Sequence, residues 1–222
     1  MTKIRTESEK KYNRIAIIAG GSLSPLESAE KADYVIACDK GLDYALAAGI
    51  TPDLFVGDGD SFSGKLPDNI ERIDLPVEKD DTDLMAAVKV ALGKAPRNIV
   101  FYCACGGRYD HFLGNLQAAV FAAKRGAKVE IIDLYARFCI FAGGNGGSGR
   151  EEVFARREGY SFSVLSLSDV SEGVCISGGK YGIENAVLRG DFPLGVSNEW
   201  KTDEIRVSLK SGVLCVCECK MF

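Results

Sequence analysis

Apolar positions fall first into short continuous runs separated by stretches of helical spacing, and later into short alternating segments. Arg14-Ile15-Ala16-Ile17-Ile18, Tyr34-Val35-Ile36-Ala37-Cys38, Leu54-Phe55-Val56, Asn98 to Cys105 and Lys128 to Asp133 read as strands. Between them, Leu42, Ala45, Leu46 and Ala48 give a short helix capped by Gly49. Leu84, Met85, Val88 and Leu92 give a second helix over 83–93, and a third is predicted over about 111–125. Continuous apolar strands alternating with helices predict a mostly parallel sheet covered on both faces. Beyond Phe141, the segments Tyr160 to Leu167, Gly173 to Ser177, Ala186 to Leu188, Glu204 to Leu209 and Val213 to Cys219 alternate between Gly, Ser, Asn and Asp breaks, the pattern of an antiparallel sandwich. The fold class is therefore α/β: an N-terminal mostly parallel sheet flanked by helices, followed by a small C-terminal antiparallel β-sandwich domain. The divisions expected are a polar lead-in at 1–13, an α/β unit at 14–142, a Gly-rich linker or turn at 143–149 and a β unit at 150–222.

Candidate chemistry gathers where the strands end. Gly57-Asp58-Gly59-Asp60-Ser61 follows the third strand, at the carboxyl edge where open α/β sheets bind ligands. In extended backbone, Asp58 and Asp60 point to one side. Glu78-Lys79-Asp80-Asp81-Thr82-Asp83 leads into the second helix, so Asp80 to Asp83 occupy its cap and first turn. Taken alone, the second cluster is ordinary capping and the first an ordinary turn. Together, so many carboxylates need a cation to offset their repulsion, and Mg²⁺ takes oxygen ligands while keeping positions for water and phosphate. Two glycine-rich stretches carry less. Gly20-Gly21-Ser22 lacks the spaced glycines of a dinucleotide site and reads as a tight turn exposing backbone N–H groups. Gly143 to Gly149 lacks the Lys-Ser/Thr ending of a phosphate loop.

Composition narrows the class. The chain has 222 residues, 46% of them hydrophobic, and a net charge of −4, which suits an ordinary globular protein and argues against nucleic acid as a partner. No apolar run approaches the ~20 residues that span a bilayer, and the polar start lacks the apolar core of a signal peptide, so a cytoplasmic protein is expected. Eight cysteines form no Cys-x-x-Cys pair; Cys103/Cys105 and Cys215/Cys217/Cys219 alternate as strand-face residues of a reducing compartment. Cys217 and Cys219 are the ones expected to reach the surface.

Four motifs in order, Asp39-x-Gly41, Gly57-Asp58-x-Asp60-Ser61, Lys79-Asp80-x-Thr82-Asp83 and Gly106-Gly107-Arg108-x-Asp110-His111, resemble thiamine pyrophosphokinase. The likeness continues through Lys180 to Asn185 and Leu194 to Trp200, and covers nearly all of the chain after residue 14. It implies transfer of the β,γ-pyrophosphoryl group of ATP to the thiamine hydroxyl, an ATP- and Mg²⁺-handling first unit, a thiamine-binding second unit, and a homodimer with thiamine at the interface. On this reading Asp58, Asp60 and Asp83 hold Mg²⁺ against the triphosphate, and Asp80 supports them or orients the hydroxyl. Lys79, Thr82 and Arg108 meet phosphate, with Asp39, Asp110 and His111 beside them. Asp110 is also expected to cap the third helix. Trp200, the single tryptophan, stacks on the thiamine pyrimidine while Ser197 and Asn198 hydrogen-bond its polar edge.

Three positions depart from the family pattern: Gly59 in place of an aromatic residue, Lys40 in place of a frequent glycine, and Asp43 in place of a common asparagine. The rival readings are a thiamine or nucleotide binding module without turnover, and another Mg²⁺-dependent nucleotidyltransferase or phosphohydrolase. A binder has no need of a whole acidic shell, and the other enzymes have no need of Ser197 to Trp200.

Overall fold

The computed structural model describes residues 12–57, 67–76, 80–144 and 149–221. Its first sheet is assembled from β1 (Arg14–Ile18), β2 (Tyr34–Cys38), β3 (Leu54–Gly57), β4 (Glu71–Asp74), β5 (Asn98–Tyr102), β6 (Lys128–Ile132), β7 (Ala136–Ala142), β9 (Tyr160–Ser166) and β13 (Val213–Lys220). The order is β4-β3-β2-β1-β5-β6-β7-β13-β9. From β4 to β6 every pair is parallel, and from β6 outward the pairing is antiparallel. A second sheet, β11-β10-β12-β8, is formed by β8 (Arg150–Ala155), β10 (Val170–Ser177), β11 (Ile183–Arg189) and β12 (Glu204–Leu209).

The helices are α1 (Gly41–Ala47), α2 (Asp83–Gly93) and α3 (Tyr109–Ala123). One core lies where α2 and α3 cover the parallel strands, with Ile15, Ile17, Ile36, Phe101, Val88 and Ala119 among its members. On the other side of the sheet, Ala16, Ile18, Val35 and Val100 pack with Ala45 of α1. These strands bury both faces, which is why they read as unbroken apolar runs. A third core, with Phe162, Val164, Val174, Val207 and Leu214, fills the space between the two sheets. Alternation along β9 and β12 follows from one face being packed there and the other wet. No helix of the described residues is long and apolar enough to cross a membrane.

The fold class expected from the sequence is the one observed, and the details differ in four places. The exposed edge strand β4 carries Glu71, Arg72 and Asp74 and has no apolar signal. Strand β7 returns beside β6 after a three-residue turn, so the first sheet draws on both halves of the chain through β9 and β13. Helix α3 begins at Tyr109, and Arg108 occupies its N-cap position without a side-chain cap. Asp110 is therefore inside the first turn and does not cap it. Cys217 is buried and Cys219 alone of that pair is exposed.

Candidate active site

The strand order reverses beside β1: β2, β3 and β4 lie on one side, and β5 and β6 on the other. Ligands of open α/β sheets bind outside the carboxyl ends of strands at such a reversal. Here that edge holds a cleft of about 810 Å³, walled by Ala19 to Ser22 after β1, Cys38 to Lys40 after β2, Thr82 to Leu84 at the start of α2, and Gly106 to Arg108 with Asp110 and His111 at the start of α3.

Glycines let its parts approach. A Cβ on Gly21 would stand 2.6 Å from both Cys103 O and Cys105 O, and one on Gly106 would stand 2.1 Å from Ser22 Oγ. The turns after β1 and β5 are laced together: Gly21 N donates to Cys103 O at 2.7 Å and Ser22 N to Cys105 O at 2.8 Å. Those two N–H groups, expected to be exposed, are thus spent within the protein. Gly106 and Gly107 follow with φ of 73° and 66°, backbone that suits glycine.

Acids reach the cleft from the end of β2 and the start of α2. Asp39 follows β2 with φ of 47°. Its Oδ1 lies 2.3 Å from where a Cβ on Gly57 would be, so the missing side chain admits that carboxylate to the end of β3. Cys38, one residue earlier, places its Sγ 3.7 Å from Asp83 O. Asp83 begins α2 behind Thr82, whose Oγ1 accepts from Met85 N at 3.1 Å. The cap that the Asp80–Asp83 run promised is therefore Thr82. Asp81 pairs with Lys89 at 2.5 Å, and Asp80 is exposed and outside the cleft lining. Asp58, Asp60 and Lys79 lie outside the described residues. Among the described residues, no group of three or more His, Cys, Asp or Glu is arranged around a metal position. Asp39 and Asp83, which both line this cleft, are hard oxygen donors, the chemistry Mg²⁺ takes.

Cations line the cleft as well. Arg108 grips Asp110 with two bonds, Nε to Oδ1 at 3.1 Å and Nη2 to Oδ2 at 2.6 Å. The guanidinium holds the Asp110 carboxyl below its ordinary range, and Asp110 raises Arg108 in turn. Asp110 Oδ1 also accepts from His111 N at 2.9 Å. Across from them, Lys40 sets its Nζ 5.2 Å from the centre of the Tyr44 ring, while Tyr44 OH donates to Gly21 O at 3.0 Å. Sequence reasoning noted Lys40 only as a departure and gave Tyr44 no part. The signal for Lys40 was its place beside Asp39; Tyr44 carried none.

The cleft lining contains none of Ser197, Asn198 and Trp200. Ser197 has φ of 60°, with its N–H donating to Ser163 Oγ at 3.0 Å. Asn198 is buried, its Oδ1 accepting from Tyr181 N and Glu199 N and its Nδ2 donating to Tyr181 O at 2.7 Å. That amide, expected to meet a ligand edge, here braces the loop at Tyr181. The Trp200 ring leans on Phe162 at 5.1 Å between centroids, and its Nε1 is buried with no hydrogen-bond partner among the described residues.

Comparison with known proteins divides the chain likewise. A family model described as thiamin pyrophosphokinase, catalytic domain, matches residues 26–131, and one described as thiamin pyrophosphokinase, vitamin B1 binding domain, matches residues 151–214. A thiamine pyrophosphokinase of Bacillus subtilis is 32% identical over 209 residues, spanning 90% of this chain and 95% of the relative. The crystal structure of a Bacillus subtilis thiamine pyrophosphokinase superposes with a TM-score of 0.82 at 29% identity, covering 95% of this chain and 100% of that one. One from Geobacillus thermodenitrificans does so with a TM-score of 0.77 at 26% identity, covering 93% and 97%. That of Candida albicans, at 14% identity and a TM-score of 0.75 over 96% and 91%, shares the fold.

Proposed function

Because the chain belongs to the thiamine pyrophosphokinase family, we propose that it transfers the β,γ-pyrophosphoryl group of ATP to the hydroxyl of thiamine, giving thiamine diphosphate and AMP. The observation that carries this reading is the glycine-lined cleft at the sheet reversal, which brings Asp39 and Asp83 together with Lys40 and Arg108. Transfer of this kind needs positioning and charge neutralisation more than covalent chemistry by the protein. The triphosphate would lie between Lys40, Lys79 and Arg108, with Thr82, Asp110 and His111 at its edges. Asp58, Asp60 and Asp83, with Asp39 beside them and Asp80 behind, would hold Mg²⁺, which when bound offsets phosphate charge. A carboxylate of this group would accept the proton of the thiamine hydroxyl. The test is product analysis with thiamine, ATP and Mg²⁺: thiamine diphosphate and AMP are expected, both abolished in Asp58→Asn. ADP as the nucleotide product would overturn the reading.

Labour is divided along the chain, residues 14–142 handling ATP and Mg²⁺ and 150–222 handling thiamine. Since Ser197 to Trp200 stay outside the cleft of their own chain, a homodimer would let the partner supply them, with thiamine at the interface. Exposed apolar side chains support this, Tyr109 (84%) and Leu113 (61%) beside the cleft and Phe192 (63%) and Leu194 (59%) beside Ser197. The partially buried Trp200, with its unpartnered N–H, is the aromatic face for thiamine. Trp200→Ala should raise the thiamine KM by roughly tenfold or more while the ATP KM holds. An unchanged thiamine KM would remove Trp200 from the pocket. The eight free cysteines, most of them buried, suit a reducing compartment and support the cytoplasmic location proposed for the protein.

Lys40 belongs to the phosphate wall. Arg108 already shares its charge with Asp110, whereas among the described residues Lys40 has no acid against it and rests on the Tyr44 ring. A charge-assisted bond contributes about 1.5–3 kcal/mol, so Lys40→Ala should raise the ATP KM about tenfold or more and leave the thiamine KM in place. Equal kinetics in the variant would show that Lys40 points away from the nucleotide.

A further inference from the structure

Strand β13 places Cys215, Cys217 and Cys219 on one face by simple alternation. Cys215 and Cys217 lie in the core under α3, and Cys219 is exposed at the strand's end. The sulfurs of Cys217 and Cys219 approach to 3.3 Å. We propose that Cys217 and Cys219 are a redox dithiol that closes to an intrachain disulfide on reaction with a small disulfide of the glutathione type, and that closure loosens the phosphate wall of the cleft. The second half rests on the function proposed above.

The order of events follows from exposure. Cys219, accessible to solvent, loses its proton and attacks one sulfur of the small disulfide; that S–S bond breaks and one small thiolate leaves, taking up a proton. Cys217 then attacks the Cys219 sulfur and expels the second small thiol, which carries away the Cys217 proton. Two protein thiols are oxidised and one small disulfide is reduced to two thiols. Burial pushes the Cys217 thiol well above its ordinary range, which suits the resolving role and not the first attack. Cys215, 3% exposed, and Cys105, 8% exposed, are shielded from the small disulfide.

Closure is felt at the cleft because it must shorten the strand. Alternate residues of an extended strand stand about 6.6 Å apart, near the upper limit a disulfide spans, and the sulfurs must close to about 2.05 Å. A bond formed under such strain is readily reduced, as a reversible site requires. Cys217 pairs across the sheet with Phe138 of β7. The Phe138 ring lies 5.6 Å from that of Phe112, whose N–H donates to Arg108 O at 3.2 Å. Pulling in β13 therefore shifts the seat on which the first turn of α3 presents Arg108, Asp110 and His111.

The experiment incubates the intact protein with glutathione disulfide, maps the tryptic peptide Ser211–Lys220 by tandem mass spectrometry, and measures ATP binding by calorimetry together with thiamine diphosphate formation. Expected are the loss of two hydrogen atoms located between Cys217 and Cys219, a several-fold weaker ATP affinity and slower turnover, all reversed by dithiothreitol. Cys219→Ser should keep the activity of the reduced protein and lose the response; Cys217→Ala should stop at a glutathione adduct on Cys219. A stable adduct in the unaltered protein, or a disulfide that leaves ATP affinity unchanged, overturns the proposal. Failure of the reduced protein to make thiamine diphosphate would count against the proposed reaction instead, with mass and ATP affinity still deciding the dithiol.

Discussion

Asp83→Asn should lower turnover by roughly a hundredfold or more while the protein keeps its fold. Asp83 lines the cleft from the first turn of α2, and its main-chain carbonyl receives Cys38 Sγ, so the residue is tied to the end of β2 whatever its side chain carries. Asparagine has the same shape, and Thr82 continues to cap the helix. The structural cost is confined to one favourable charge at the helix start, about 0.3–1 kcal/mol. What disappears is the carboxylate proposed to face the triphosphate and Mg²⁺, so kcat should fall and the Mg²⁺ concentration for half-maximal rate should rise. Asp81→Asn is the control, because Asp81 turns to Lys89 and away from the cleft. If Asp83→Asn turned over like Asp81→Asn, Asp83 would be reduced to a helix-start acid and the metal shell would have to be drawn without it.

Gly41→Ala should be the most damaging single methyl group in the cleft region. Its Cβ would stand 2.0 Å from Ile18 O, 2.7 Å from Ile18 C and 2.9 Å from Ala19 O. Ile18 is the last residue of β1, fully buried and paired with β2 on one side and β5 on the other, and Ala19 follows it directly, so these atoms cannot yield. Helix α1 must back away instead, taking Lys40 and Asp39 with it. Overpacking of this kind costs about 3 kcal/mol. At roughly 2–4 °C per kcal/mol for a chain of this size, the melting temperature should drop by about 10 °C. Gly93→Ala, where an added Cβ meets nothing within 4 Å, should be neutral or stabilising by up to about 1 kcal/mol. A Gly41→Ala protein melting like Gly93→Ala would mean that α1 is seated loosely. The glycine of the Asp39-x-Gly41 motif is thus explained by space, two residues from the acid it serves.

The buried strands were legible because β1, β2, β3 and β5 bury both faces, so chemistry and burial agree residue by residue. Strands β4 and β8 were not, since Glu71, Arg72 and Asp74, or Arg150, Glu151 and Glu152, are what an edge strand uses to discourage further pairing. Of the site, the short motifs announced themselves by composition. The contact between Lys40, Tyr44 and Gly21 could not, because it depends on β2 lying beside β1, and strand order leaves no local trace. The bonds of the Asn198 amide to Tyr181 were hidden for a related reason, since they depend on how two distant loops meet.

The place of β13 between β7 and β9 bears on how the chain comes to be made. While the protein emerges from the ribosome, β7 is completed well before β13 and stands as an open, apolar-backed edge, Phe138 to Ala142, with its partner still unsynthesised. Strand β9 appears after β8 but has no seat of its own in the first sheet, because its neighbour there is β13. Both must wait for residues 213–220 to slot between them. The edge of β7 therefore stays on display as a template for wrong pairing while residues 143–212 are made, and closing the sheet is a long-range step.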